Sequence, residues 1–496
     1  MIIKNYQNKT SLVILLIILF TGSCEDPNKD ESIFDPNIKI IFPNNNSIVS
    51  DTVIFNFDIN DEDLIVRIDL YINNDSTGLS DISSPFSINW VTKNYQNGNY
   101  SAFIKAYDSL GNFSNSDTIQ LTLDNFLIFN KTFGIADNNE NGYSIIETSD
   151  QGYAVLGNTG SDNKDISILK IDSLGNQIWI QSYGGSQLDE ARHFQEASDG
   201  GFIISGFTRS YGYGEEDMWI IKTDALGLID WNVNYGGAQN DRGAQILQTD
   251  EGGYILIGEK HNDEFNNSDL WLLKLNSLGE ISWEETFGSD GDDKGYDIKR
   301  DSSGGYFLLG STTSYGNGGA DIWLIKTDQY GNELWNTTYG SSNNEYGRSI
   351  IDSDDGGYLI FATSESFGND NTDLHNIKID STGIEEWNKS FGGFFGKNGN
   401  VIRKSPYGGY ILISSRYSYN YNSYDMWLIK MNSNGNTEWT KTYGGNYDDY
   451  GFGIAITSDN GFILTGSTSS YGLSSPELSD LWLIKTDFNG NTLDPN

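Results

Sequence analysis

Cysteine occurs once in this 496-residue chain, at position 24, histidine three times and proline seven times. A lone cysteine excludes an internal disulfide, so the fold must stand on packing alone. The three histidines lie in a strand pattern (His193), in a loop (His261) and where sister segments carry tryptophan (His375). No two of them have metal-ligand spacing, and no further cysteine offers itself as a nucleophile. Seven prolines against 56 glycines argue for many tight turns rather than stiff linkers. Positive charge is scarce as well: 30 Lys and Arg face 69 Asp and Glu, a net charge of −39. Such a surface repels phosphate backbones, which excludes nucleic acid as a partner. Helical periodicity is nearly missing, and with it any Gly-rich phosphate loop that runs from a strand into a helix.

Aromatic residues, by contrast, are abundant at 13%, with 29 Tyr and 12 Trp, which is too many for a disordered chain. One long apolar run exists, Leu12 to Phe20, preceded by Lys4 and Lys9. It is too short to span a bilayer and reads as a secretory signal, residues 1–23. Cys24 follows within four residues, and the stretch Phe20-Thr21-Gly22-Ser23-Cys24 resembles a bacterial lipoprotein signal, with Thr21 where leucine is usual. The resemblance implies a lipidated Cys24 at the mature N-terminus and the lipid bilayer as a partner. Loss of residues 1–23 leaves 28 basic against 69 acidic residues, or −41. Residues 24–36 then form an acidic tether, and its sequence (EDPNKDESIFDP) is similar to the surface-export signal of Bacteroidetes lipoproteins. Outer-membrane anchoring with exposure at the cell surface is the location this implies.

Residues 37–125 show period-two alternation in three places: Val53, Phe55, Phe57; Val66, Ile68, Leu70, Ile72; and Ile119, Leu121, Leu123. Half-buried strands follow, separated by turns at Asn73-Asn74-Asp75, Asn97-Gly98 and Leu110-Gly111-Asn112. With the runs SSPFSINW and NGNYSAFIKAYDSLGNFSNS, this segment resembles bacterial immunoglobulin-like domains, which implies a β-sandwich serving as spacer or weak binder.

Residues 126–496 repeat. Trp179, Trp231, Trp283, Trp335, Trp387 and Trp439 stand 52 residues apart. Asp165, Asp217, Asp269, Asp321, Asp373, Asp425 and Asp480 mark seven copies, each with a lysine five residues later. Each copy divides into four short strands, so the expected fold is all-β: an Ig-like β-sandwich followed by a seven-bladed β-propeller of four-stranded, 52-residue repeats. The last copy lacks the tryptophan-bearing strand, and NFLIFNKTFG (125–134) supplies one, with Phe129 in the tryptophan position. One blade is thus expected to combine both ends of the unit, removing an open edge. The pattern DGGYILIG…DLWLIKTD..GN..W resembles propeller repeats of secreted bacterial and archaeal proteins.

Function is less legible. Sevenfold recurrence marks the seven aspartates as structural, each expected to accept N–H bonds from the loop before its strand. The seven lysines are expected to lie along the aromatics of a neighbouring repeat. In GSDGDDKG (288–295), Asp290, Asp292 and Asp293 offer hard oxygen ligands but depart from EF-hand spacing. No resident cofactor is expected, with calcium at that loop left open. Copy six departs from the others in two loops on one face, FGGFFGKNGN (391–400) and RYSYNYNSY (416–424). There Phe394, Phe395, Tyr417, Tyr421 and Tyr424 are extra, beside Lys397 and Arg416, whereas Tyr419 matches the other copies. These rings either pack within their own loop or form a platform for a glycan or protein ligand. In an extended loop Tyr417, Tyr419 and Tyr421 would share one side. A binding or scaffold role without turnover is the expected class. Abundant carboxylates keep a two-carboxylate glycosidase open as the alternative.

Overall fold

The computed structural model describes residues 38–49, 52–60, 64–92, 95, 98–123, 128–134, 138–160, 163–367, 373–391, 401–418, 421–472 and 477–493. Every regular element among them is a β-strand. The chain forms two compact units, Met1–Asp124 and Asn125–Asn496. Cys24 and the tether lie outside the described residues.

The first unit holds two sheets. One joins Ile38–Phe42, Thr52–Ile59 and Ser87–Val91; the other is six-stranded, with Gly98–Tyr107 and Arg67–Ile72 at its centre. Alternation delivers one face of each to a shared core of Phe55, Trp90, Leu70, Ile104 and Leu121. Trp90 meets Tyr95 and Tyr100 edge-on at 5.0 and 5.8 Å. Val66 falls outside this alternation: it is 45% exposed and precedes the strand that begins at Arg67.

The second unit contains seven four-stranded antiparallel sheets. The second copy is typical, with strands Asp189–Glu196, Phe202–Thr208, Asp217–Thr223 and Ile229–Tyr235. Its middle two strands are buried on both faces, because sheets pack on either side of them. That is why their sequences read as unbroken apolar runs rather than as alternation. The seventh sheet draws on both ends of the unit: Phe129–Phe133 pairs antiparallel with Asp480–Thr486, Phe129 opposite Lys485 and Thr132 opposite Trp482.

Successive sheets are joined by a recurring contact. The tryptophan of each fourth strand covers the turn glycine between the third and fourth strands of the next copy. A Cβ on Gly227, Gly279, Gly331, Gly383, Gly435 or Gly490 would come within 2.4–3.1 Å of the ring of Trp179, Trp231, Trp283, Trp335, Trp387 or Trp439 respectively. All six glycines also have positive φ, from 72° to 87°, so both conformation and room demand glycine. Phe129 makes the same contact with Gly175, at 3.0 Å. A second link runs beside it: the Ser149 N–H and hydroxyl donate to Glu196 (2.8 and 2.7 Å), and those of Ser458 donate to Glu147 (2.7 and 2.8 Å). Copies seven and one are therefore joined as copies one and two are. Their shared core holds Val155 and Leu169 from one side and Ile463 and Leu483 from the other.

The repeated lysines are held through their ammonium groups. In six copies they bind an acid in the turn between the first two strands of their own copy, as in Lys222–Asp199 (2.7 Å), Lys378–Asp355 (3.0 Å) and Lys485–Asp459 (2.8 Å); Lys430 binds the Gly408 carbonyl of its turn (2.7 Å) and Glu438 (2.8 Å). A buried ammonium needs an anion or carbonyl close by, and this turn is what the middle of the sheet offers.

Candidate ligand-binding cavity

The first strand of each copy carries a small residue followed by a variable one, as in NGYS, EARH, RGAQ, KGYD, YGRS and YGFG. Pairing with the second strand shifts register there, at Gly142/Ser144, Ala191/His193, Gly295/Asp297, Gly347/Ser349 and Gly451/Gly453. A bulge of this kind re-aims adjacent side chains. The residues so turned, together with others of the same strands, line one cavity of 610 Å³, to which all seven copies contribute. Tyr143, Arg192, Gln245, Asp297, Arg348, Arg403 and Phe452 represent them in order.

Charge in this cavity runs against the composition of the chain. Lys164, Arg192, Arg242, Lys294, Arg348 and Arg403 line it with only Glu190, Glu259 and Asp297 as acids. Four of the eight arginines in the sequence are here. Glu190 pairs with Arg192 at 3.1 Å, and Glu259 with Arg242 and Lys294 at 2.8 and 2.9 Å. Asp297 accepts the Ile350 N–H at 2.7 Å, and burial pushes its carboxyl up to about 6. Among the described residues no carboxylate lies within 4.0 Å of Arg348, Arg403 or Lys164. Arg348 rests over the Tyr296 and Tyr346 rings at 5.2 and 5.4 Å. Burial holds the Arg403 guanidinium below its ordinary pKa, with Asp297 opposing the shift. His193 is neutral, lowered to about 3 by burial and then by Arg403. Its Nδ1 accepts the Ile246 N–H at 3.5 Å. Gln245 and Asp297 accept from Ile298 and Ile350 in the same way, so these three side chains join adjacent copies.

Aromatic rings lead into the cavity in file. Tyr417 meets Tyr424 at 5.2 Å, Tyr424 stacks on Tyr450 at 5.4 Å, Tyr450 on Phe452 at 6.0 Å, and Phe452 meets Tyr143 at 5.4 Å. The last two line the cavity. The described part of segment 416–424 is thus not an extended loop. Strands Tyr410–Ser418 and Ser423–Met431 continue as a hairpin with Tyr417 directly opposite Tyr424. Tyr421 and Asn422 lie in its turn, Tyr421 57% exposed and Asn422 at φ 56°. The Tyr417 hydroxyl donates to Asn422 at 2.5 Å, and the Arg416 guanidinium lies over Trp427 at 5.4 Å. Phe394, Phe395, Lys397 and Tyr419 lie outside the described residues. Sequence reasoning missed Tyr143, Tyr450, Phe452 and the cations. For Tyr143, Arg192, Arg348 and Phe452 the signal was the variable position after the small residue of the first strand, and for Arg242, Lys294 and Tyr450 the variable position before it.

The third-strand aspartates sit where the fourth strand of their copy ends. Asp217 accepts the N–H groups of Tyr213 (2.8 Å) and Gly214 (3.2 Å), and Asp321 that of Asn317 (2.5 Å). Asp165, Asp269, Asp321 and Asp425 each also leave one oxygen without a hydrogen-bond partner among the described residues. A second acid, from the first strand of the next copy, converges on the same glycine. Asp165 and Asp189 meet at Gly184, Asp269 and Asp293 at Gly288, and Asp425 and Asp449 at Gly444. The second acid is held by the loops, as Asp449 is by the Ser470 hydroxyl (2.7 Å) and the Gly445 N–H (2.8 Å). At the proposed calcium loop, Asp293 accepts from Ser314 (2.6 Å) and Ser289 (3.1 Å), and Asp292 from Ser268 (3.1 Å); Asp290 is exposed. Among the described residues no group of three or more His, Cys, Asp or Glu is placed to hold a metal ion. His375 stacks on Phe367 at 4.6 Å, filling the tryptophan place with another flat ring.

Residues 36–103 match the family model for a bacterial Ig domain. The fibronectin(III)-like modules of CbhA from Clostridium thermocellum are 19% identical over 18% of this chain and 96% of theirs, TM-score 0.15. The β-propeller domain of the trilobed protease from Pyrococcus furiosus is 10% identical over 73% of this chain and 98% of its own, TM-score 0.40. The acylaminoacyl peptidase of Pyrococcus horikoshii is 11% identical over 71% of this chain and 53% of its own, TM-score 0.39. No curated protein matches the chain.

Proposed function

We propose that this is a lipid-anchored cell-surface binding protein: Cys24 carries the lipid, the Ig-like domain acts as a spacer, and a closed seven-bladed β-propeller presents a glycan-binding cavity. The observation that carries the binding role is the file of rings from Tyr417 to Tyr143, which joins an exposed hairpin to a cavity built from all seven copies. Concave sites with an apolar wall and a few convergent polar groups are the usual form of a small-ligand site, and tyrosine supplies an apolar face with a polar tip. Closure is supported by the Phe129–Gly175 and Ser458–Glu147 contacts. Anchoring and export rest on the sequence around Cys24, and calcium has no part in this reading.

Hydrolysis has one observation in its favour, the raised carboxyl of Asp297. A glycosidase needs a second carboxylate free to act as nucleophile or base, whereas Glu190 and Glu259 are both tied to cations. The test is a glycan screen on the mature protein with products assayed alongside binding. Retention of intact glycan supports the proposal. Released sugar, or retention of no glycan at all, overturns it.

A further inference from the structure

We infer that the cavity takes a sugar bearing a single negative group, a carboxylate or a sulfate ester, with the anion held by Arg348 and Arg403 and the ring against Phe452 and Tyr143. This deepens the binding role proposed above and rests on it. The first ground is charge. A chain of net −39 places six cations and three acids around one cavity, and two of the acids are consumed by Arg192, Arg242 and Lys294. What is left is Arg348, Arg403 and Lys164, with no carboxylate at ion-pair distance among the described residues; only the two arginines offer the planar fork that a carboxylate or sulfate fits. A partly buried guanidinium without an anion carries a desolvation cost that an incoming anion relieves. Arginine also fits a carboxylate or sulfate with two parallel N–H···O bonds.

The reach of Arg403 is the second ground. It comes from copy six, yet it lines the same cavity as His193 of copy two and Asp297 of copy four. Its guanidinium donates from Nη1 to the Ile402 carbonyl at 3.0 Å, and the fork carries further N–H groups for an anion.

Size and surroundings decide between ligands. A volume of 610 Å³ is far more than a bare ion needs and lies within the range of small-molecule sites, roughly 300–1,000 Å³. The strongly acidic exterior disfavours dense polyanions, so the charge on the ligand is sparse. The file of rings gives a path along which neutral sugar units can lie outside the cavity while a charged unit fills it. An acidic peptide would satisfy the arginines but makes no comparable use of five successive rings.

The experiment titrates the full mature protein with matched oligosaccharides ending in glucuronate or in glucose. Inorganic sulfate and a Glu-Glu dipeptide are titrated in parallel, and Arg348→Gln and Arg403→Gln are compared with wild type. The expected result is binding of the glucuronate-ended sugar at least about tenfold tighter than its neutral twin, the size of a charged hydrogen bond. Arg348→Gln should remove that preference at an unchanged Tm, so a folding defect in Arg403→Gln would not obscure the outcome. Equal binding of the charged and neutral sugars overturns this inference and leaves the glycan-binding role standing. Preference for the dipeptide, or sulfate binding with no gain from the sugar, overturns the sugar assignment. Binding of no sugar of either kind, here or in a wider screen, overturns both.

Discussion

Asp425 shows how one residue type can serve the fold at a cost. Burial and then the neighbouring Asp449 raise its carboxyl to about 6, against an ordinary 3.8. The folded chain therefore holds this proton more tightly than the unfolded chain. By linkage, its contribution to stability is greatest below about pH 4, falls as pH rises to about 6, and stays low above that. Asp425→Asn mimics the protonated form and lets the amide donate toward Asp449. Melting curves should show the variant above wild type by roughly 1–3 °C at pH 8, with the gap closing near pH 4. A gap that does not depend on pH would contradict a raised carboxyl at Asp425. His193 and His375 act in the opposite sense: both are lowered, to about 3 and about 4, so they withdraw stability as pH falls below 6.5. At this scale the sequence revealed recurrence but not partnership. The aspartates were recognisable as structural from their number alone. The second acid of each pair lies on the next copy, and only the packing of two sheets brings the two together.

Among the elements, the turn between third and fourth strands is the most exacting. Gly331 has φ 87° and lies 2.7 Å, at its added Cβ, from the Trp283 ring, whereas Gly252, φ 82°, has nothing within 4 Å. Gly252→Ala should cost about 1 kcal/mol from backbone strain alone. Gly331→Ala should cost clearly more, because Trp283 must move as well, and chemical denaturation would read the difference. Equal losses would show that the tryptophan contact contributes nothing. These turns, and the strands they join, were legible because tryptophan, aspartate and glycine return at fixed spacing. The hairpin at 416–424 was misread because Tyr-x-Tyr alternates identically in a loop and in a strand; only pairing of Arg416 with Asp425 and Tyr417 with Tyr424 tells them apart. The first strands were hardest to read. They are short and bulged, and the cavity residues are single letters in a column whose members meet only when seven copies are brought round a common space.

For the molecule as a whole, Phe129 is the contact that distinguishes a closed ring from a row of sheets. It is buried against Tyr153 at 6.3 Å and over Gly175, although Lys485, its partner across the sheet, stands 356 positions later in the chain (485 − 129). Phe129→Ala should cost about 3–5 kcal/mol, as for other buried phenylalanines. Asn130→Ala, which removes the 2.6 Å bond from the Trp482 indole and the exposed 3.2 Å bond that the Asn130 amide donates to the Leu493 carbonyl, should cost about 1–2 kcal/mol. Unchanged melting of the Phe129 variant would argue against closure. Anchoring is a separate matter: Cys24→Ser should release the protein from the membrane fraction, and unaltered fractionation with no attached lipid would refute the lipid. The account stands most directly on the ring file and the cavity being one site. That is tested by titrating a single glycan found in the screen against wild type, Arg348→Gln and the Tyr417→Ala/Tyr421→Ala double variant. The predicted result is that both variants melt with wild type and both bind that same glycan more weakly; unchanged affinity in both folded variants would contradict it.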